Sequence, residues 1–287
     1  MQPKTMSKVL VAIDFSAQSI RLLECVYDLC QNDVKTIILT HVFEDAKDAK
    51  SSGAEWQEVI HQLTSFKKKL VEKGFEVKIV TPAGEAAIEI TNLAIQEQVD
   101  LIIMASSGKG YIQSALMGST SFDVVRLAKC PVFVERGKIA LKTTNQAKPA
   151  RLAKVLLPTD FSLASLEALS IVRSLHDKIG EVVFANVIEK SRSIDDLNAK
   201  VKQAERNLIE LVEEMNAFGI KASYRVKVEG AASKVLLNLM KEEDITLTIL
   251  PKTGAGIVTG LLIGSTAQAI SLNIDRPVLL VPTSHEN

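Results

Sequence analysis

The stretch KVLVAIDFSAQS, Lys8 to Ser19, returns later in the chain as KVLLPTDFSLAS, Lys154 to Ser165. In each, an aliphatic run ends on Asp-Phe-Ser, at Asp14 and at Asp160, 146 positions apart. Two further pairs keep the offset of 146: GYIQSALMGSTSFDVV with GIVTGLLIGSTAQAI, through Gly118 and Gly264, and CPVFVE with RPVLLV, through Pro131 and Pro277. Three anchors with one spacing make the chain a tandem duplication, and a repeat changes what every local motif means. Residues 1–138 read as a first domain, 139–151 as a polar linker with Pro149 near its end, and 152–287 as a second domain.

With 287 residues, 47% of them hydrophobic, the chain has material for two cores of ordinary domain size. Lys plus Arg and Asp plus Glu number 34 each, so the totals carry no pull towards nucleic acid or anionic lipid. The opening MQPKTMSKVLVAIDFS has an apolar run too short for a secretory signal, interrupted by Asp14. No segment approaches the roughly 18 apolar residues of a membrane span. A cytoplasmic protein is the expectation. Cys25, Cys30 and Cys130 are odd in number and lack CxxC spacing, and the histidines make no ligand-like pair with them, so no structural metal or disulfide framework is expected.

Within a copy, strand-like and helix-like segments alternate. Val9 to Ile13, Thr36 to Phe43, Glu76 to Val80, VDLIIMAS and PVFVE read as strands. Between them, SIRLLECVYDLC, Glu55 to Lys73, Glu85 to Gln98 and Gly118 to Ala128 carry apolar residues at helical spacing. The second copy repeats the order, with strands at Val155 to Leu157, Val182 to Val187, Ala222 to Val228, Ile245 to Leu250 and Val278 to Val281; SRSIDDLNAK reads as a loop entering a helix. Such alternation implies a parallel sheet with helices on both faces, because right-handed crossovers place them there. The fold class is therefore α/β, as two tandem doubly wound domains, each with a five-stranded parallel sheet. Strand orders 2-1-3-4-5 and 3-2-1-4-5 are both common; the expected one is 3-2-1-4-5, which makes the first and fourth strands neighbours at the switch point, where such folds bind ligands. The repeated features fall there. Asp-Phe-Ser ends the first strand of each copy, and a glycine segment follows the fourth.

In the first copy Gly108 precedes Gly118 and Ser119 at a helix start, and in the second Gly254 precedes Gly264 and Ser265 at the same spacing. A helix start presents unpaired backbone N–H groups and the positive end of a dipole, and a glycine there lets a phosphate come close.

On these residues the chain resembles a tandem universal stress protein over nearly its full length. The resemblance implies a stress-response protein that binds an adenine nucleotide, ATP or AMP, with or without magnesium, and does not act as an enzyme. It places the first strand's acid near the adenosine and the glycine segment around the phosphates. Carried over by position, it assigns Ala12, Ile13, Asp14, Ala105, Gly108, Gly118, Ser119 and Thr120 in the first copy. In the second copy it assigns Pro158, Thr159, Asp160, Val187, Gly254, Gly264, Ser265 and Thr266. It also implies an intrachain pseudo-dimer through the last strands, and leaves room for a homodimer and for protein partners.

A carboxylate repels a triphosphate, so Asp14 and Asp160 belong at the sugar or base end; the other reading has them cap the following helix. The family pattern's first glycine would fall at positions 105 and 251, where this chain has Ala105 and Pro251, and proline has no N–H to give. Ile13 stands where the second copy has the hydroxyl of Thr159. The functional rival is a nucleotide-free scaffold for partner proteins, in which the glycines serve close packing of helix on strand. No GxxxxGK[ST] or GxSxG occurs, and GAGIVTG follows the fourth strand of its copy, where a dinucleotide fingerprint would follow the first.

Overall fold

The structure, a computed structural model, describes residues 6–16, 19–30, 34–45, 53–106, 117–136, 150–228, 230–254 and 263–283. The chain divides into two compact units, residues 5–137 and 138–287. The linker assigned from sequence lies, but for its last residues, outside the described ones.

The first unit runs β1 (Lys8–Ala12), α1 (Leu22–Leu29), β2 (Thr36–Thr40), α2 (Ala54–Val71), β3 (Glu76–Val80), α3 (Ala86–Gln96), β4 (Leu101–Ala105), α4 (Ser119–Leu127) and β5 (Val132–Glu135). Its sheet has the order β3-β2-β1-β4-β5, all pairs parallel, as the sequence predicts. The central strands are apolar throughout because both faces are covered: Val9, Leu10 and Val11, with Ile102 and Ile103, have no exposed surface. On α2, Val59, Leu63, Phe66 and Leu70 face the core at helical spacing, while Lys68 and Lys69 lie in solvent. Two boundaries lie three residues from the sequence reading, the largest differences in this unit. The second strand stops at Thr40, and Phe43 makes only an isolated parallel bridge to Ala83. The first helix begins at Leu22, after a 3-10 turn over Ser19–Arg21. All three cysteines are buried and none is in a disulfide; Cys25 donates to the buried Glu135 carboxylate at 2.8 Å.

The second unit repeats the plan with β6 (Lys154–Pro158), α5 (Leu163–Ser174), β7 (Glu181–Ile188), α6 (Ile194–Ala217), β8 (Lys221–Val228), α7 (Ala232–Glu242), β9 (Leu247–Pro251), α8 (Ser265–Asn273) and β10 (Val278–Val281). Its order, β8-β7-β6-β9-β10, matches that of the first unit. The segment expected as a loop before α6 is mostly helix: the Ser193 hydroxyl accepts from the Asp196 N–H and starts α6 at Ile194.

One seam separates the two sheets in kind. In the first unit β1 pairs β4 from Val9↔Leu101 to Ala12↔Met104, whereas β6 pairs β9 only at Val155↔Leu247 and Leu156↔Thr248. The reason is local. Along a strand, N–H groups of successive residues point to opposite neighbours. The Thr159 N–H points to Ala185 of β7, so the position of Pro158 faces β9; the Lys252 N–H points to Val281 of β10, so that of Pro251 faces β6. Two prolines thus delete the donors on both sides of one seam, where the first unit has Ala12 and Ala105. The ladder therefore stops two pairs short of the one in the first unit, before the carboxyl ends of β6 and β9.

The opposite ends of these strands are tied by charge. Lys154, at the start of β6, and Arg225 of β8 both donate to Glu243, at 2.7 Å each. The hydrogen bond from Lys154 is the main cause holding the Glu243 carboxyl below its usual range, with Arg225 adding to it against the cost of burial.

Candidate functional site

Both Asp-Phe-Ser segments fold alike. Asp14 Oδ1 accepts the Ser16 N–H at 3.0 Å, and Asp160 Oδ1 accepts the Ser162 N–H at 3.0 Å. The phenylalanine between takes a left-handed backbone, φ 58° at Phe15 and φ 62° at Phe161. A bulky residue there costs on the order of 1–3 kcal/mol, a strain that clusters at ligand sites. The helix is capped by another residue than the acid. Ser162 is the N-cap of α5, its hydroxyl accepting from the Ser165 N–H, which corrects the reading of the acid as the cap. Asp160 Oδ1 also accepts the Ser165 hydroxyl at 2.7 Å.

The carboxyl ends of β6 and β9 border a cavity of about 300 Å³, at the small end of the range for ligand pockets. Strand ends of β6 and β7 supply Thr159, Asp160 and Asn186; Ala232 and Leu236 of α7 and Leu250 of β9 are its apolar lining; Gly254, Gly264 and Ser265 also border it. A Cβ placed on Gly254 would lie 3.4 Å from Asp160 Oδ2, so the strand-end acid and the glycine segment meet. Gly254 thus lies beside a carboxylate, which repels an anionic group, whereas Gly264 starts a helix, whose N–H groups attract one.

Gly264 is the N-cap of α8, with φ −63° and ψ 147°, and no side chain caps the helix. Any residue can adopt that backbone. Space does not demand glycine either, since a Cβ there would meet Gly254 N, Lys252 O and Thr253 Cα at 3.5 Å, ordinary contact. The packing role proposed for the rival scaffold therefore has no support at Gly264. What glycine does leave is an uncapped helix start open to the cavity, with Ser265 exposed at its rim.

The other assigned residues fall as follows. Pro158, Pro251, Val187 and Thr266 also line the cavity. In the first copy, Gly118 is the uncapped N-cap of α4 and donates to Ser106 O at 2.7 Å, as Gly264 donates to Lys252 O at 2.9 Å. Ser119 and Thr120 are exposed on the first turn of α4, Ile13 is buried and Ala12 half-buried. The Ser121 hydroxyl donates to Ala105 O at 2.9 Å. Gly108 lies outside the described residues. Among the described residues no group of three or more His, Cys, Asp or Glu side chains could hold a metal ion, and no helix is long and apolar enough to cross a membrane.

Sequence reasoning passed over Ser165, Asn186, Thr253 and the apolar wall. Register finds one of them. β1 pairs β2 up to Ala12↔Thr40 and β6 pairs β7 through Pro158↔Ala185, so His41 and Asn186 hold equivalent places. Each donates to the carbonyl before the acid, His41 Nδ1 to Ile13 O at 2.7 Å and Asn186 Nδ2 to Thr159 O at 2.8 Å. In the first copy His41 is packed between Phe15 and Phe43, with ring centroids 5.0 and 5.2 Å away.

The model of the universal stress protein family matches the chain twice, over residues 6–136 and 152–282. The chain belongs to the universal stress protein family. Universal stress protein YxiE of Bacillus subtilis is 30% identical over 146 residues, covering 45% of this chain and 99% of that protein. Universal stress protein Rv2005c of Mycobacterium tuberculosis is 25% identical over 201 residues, 68% of this chain and 65% of that one. The fold of a universal stress protein from Archaeoglobus fulgidus superposes with a TM-score of 0.70 over 98% of both chains, at 22% identity. Both halves of this chain are thus universal stress protein domains.

Proposed function

We propose that this universal stress protein binds an adenine nucleotide, ATP or AMP, without catalysing its turnover, and that the second copy holds it. The observation that carries this reading is the cavity at the β6/β9 switch point, where the Asp160 carboxylate, Gly254 and the uncapped start of α8 converge. The adenosine lies between the ends of β6 and β7 and the apolar wall of α7. Asp160 Oδ2 accepts from a ribose hydroxyl, and the phosphates extend over Gly264 towards Ser265 and Thr266, where helix N–H groups and hydroxyls donate to them. Magnesium, where it takes part, is carried on the phosphates. In the first copy the same roles fall to Ile13, Asp14, Gly118, Ser119 and Thr120. Nucleotide occupancy is the switch, and partner proteins of the cytoplasm are its readers. The two copies pair within the chain as a pseudo-dimer through β5 and β10, each the last strand of its unit's sheet; a crystal structure with both strands solvated and far apart would refute that pairing.

Titration calorimetry of nucleotide-stripped protein with ATP and magnesium tests the reading. Saturable heat with at least one site per chain is expected. No heat, together with a melting temperature unmoved by millimolar ATP, would overturn it in favour of the scaffold.

A further inference from the structure

We propose that Asn186 selects the base in the second copy, accepting a hydrogen bond from the 6-amino group of adenine and excluding 6-oxopurines. The inference deepens the nucleotide reading above and rests on it. Asn186 follows the last residue of β7 that β6 pairs with, and only 8% of its surface is exposed. Its amide is oriented by chemistry. The Thr159 carbonyl can only accept, so the atom 2.8 Å from it is the nitrogen, and the amide oxygen must occupy the other limb. Among the described residues that oxygen has no donor. It is not sealed from solvent as the hydroxyl of the buried Thr248 is. Asn186 lines the cavity, and the opening to which its amide oxygen is assigned is that cavity.

An acceptor without a protein donor, opening onto a narrow cavity, favours a ligand that supplies the donor. The matching group is an amine on a flat heterocycle small enough for the cleft. An adenine offers it at the 6-position; hypoxanthine and guanine place a carbonyl there, and acceptor would face acceptor. The cavity suits a ring, because Leu236 and Leu250 in its lining are apolar and Ala232 is small. Thr253, 96% buried by its 4% exposure and also lining the cavity, lies on the glycine side and does not compete for this role.

The test compares ATP, inosine triphosphate and purine riboside triphosphate on the full chain by calorimetry. The wild type is expected to bind ATP at least about tenfold more tightly than either analogue, the value of one hydrogen bond in a water-poor site. In Asn186→Leu the three affinities should converge to within about threefold. Leucine strands the Thr159 carbonyl and can unfold the domain, so Asn186→His is the second variant. His41 makes the equivalent bond in the first copy, and a histidine that donates through Nδ1 puts Cδ2–H where Oδ1 stood, with its remaining acceptor, Nε2, one bond further round the ring; the variant's ATP preference should also fall. Equal affinity of the wild type for all three, or a preference that survives in a folded variant, would overturn the role of Asn186 while leaving nucleotide binding intact. Failure of the wild type to bind any of them would overturn the nucleotide reading, and the proposal with it.

Discussion

Gly264→Asp is expected to weaken ATP binding by about a hundredfold or more while the melting temperature stays within about 4 °C of the wild type, the shift that roughly 1 kcal/mol gives a domain of this size. The two halves of that expectation have separate causes. Aspartate is a better helix N-cap than glycine by a few tenths of a kcal/mol, and the backbone at Gly264, φ −63° and ψ 147°, suits it. Its Cβ finds only ordinary contacts at 3.5 Å. The side chain would, however, satisfy the α8 N–H groups that the phosphates use, and set a negative charge where they lie; like charges in such a site cost several kcal/mol. A variant that melts far below the wild type would give Gly264 the packing role. One that folds and binds ATP undiminished would move the phosphates away from α8.

Pro251→Gly should act in the opposite direction, raising ATP affinity about tenfold or more while lowering stability by roughly 0.5–1 kcal/mol. Proline at this strand end removes the N–H that would face β6 across the open seam, the side on which the cavity lies. Glycine restores a donor there, and a hydrogen bond to a charged or strongly polar ligand group is worth about 1.5–3 kcal/mol. The stability loss follows from the freedom glycine gives the unfolded chain. Calorimetry and thermal melts measure both. Unchanged affinity would mean that the ligand does not reach the end of β9, and a drop would mean that the restored N–H rejoins the β6/β9 ladder and narrows the cavity.

The sequence carried the topology because the repeat and the alternation are redundant signals: each strand is announced twice, 146 positions apart, and the apolar runs of β1, β4, β6 and β9 belong to strands covered on both faces. Boundaries were less legible where a tertiary device overrides propensity. Ser19–Arg21 winds as a 3-10 turn after the left-handed Phe15, so α1 starts later than its apolar pattern suggests. SRSIDDLNAK looked loop-like from its polarity, yet Ser193 and the acids of the first turn are what a helix start uses.

The site divides in the same way. Asp160, Gly254 and Gly264 are visible as punctuation, and they do converge. Pro158 and Pro251 were read singly, as a matched motif and a flaw. Their joint effect on the β6/β9 ladder depends on which neighbour each N–H faces, a property of register that no linear pattern shows. Asn186 was hidden for a related reason: it sits inside a strand-like run, and its partner is a backbone carbonyl 27 positions away.

The most direct measurement is photolabelling of the stripped protein with 8-azido-ATP, followed by digestion and peptide mapping. The azide sits on the base, so the account predicts labelling of second-copy peptides that contain Thr159–Asp160, Asn186–Val187 or Leu236, suppressed by excess ATP. Labelling confined to the first copy, or unaffected by excess ATP, would contradict it.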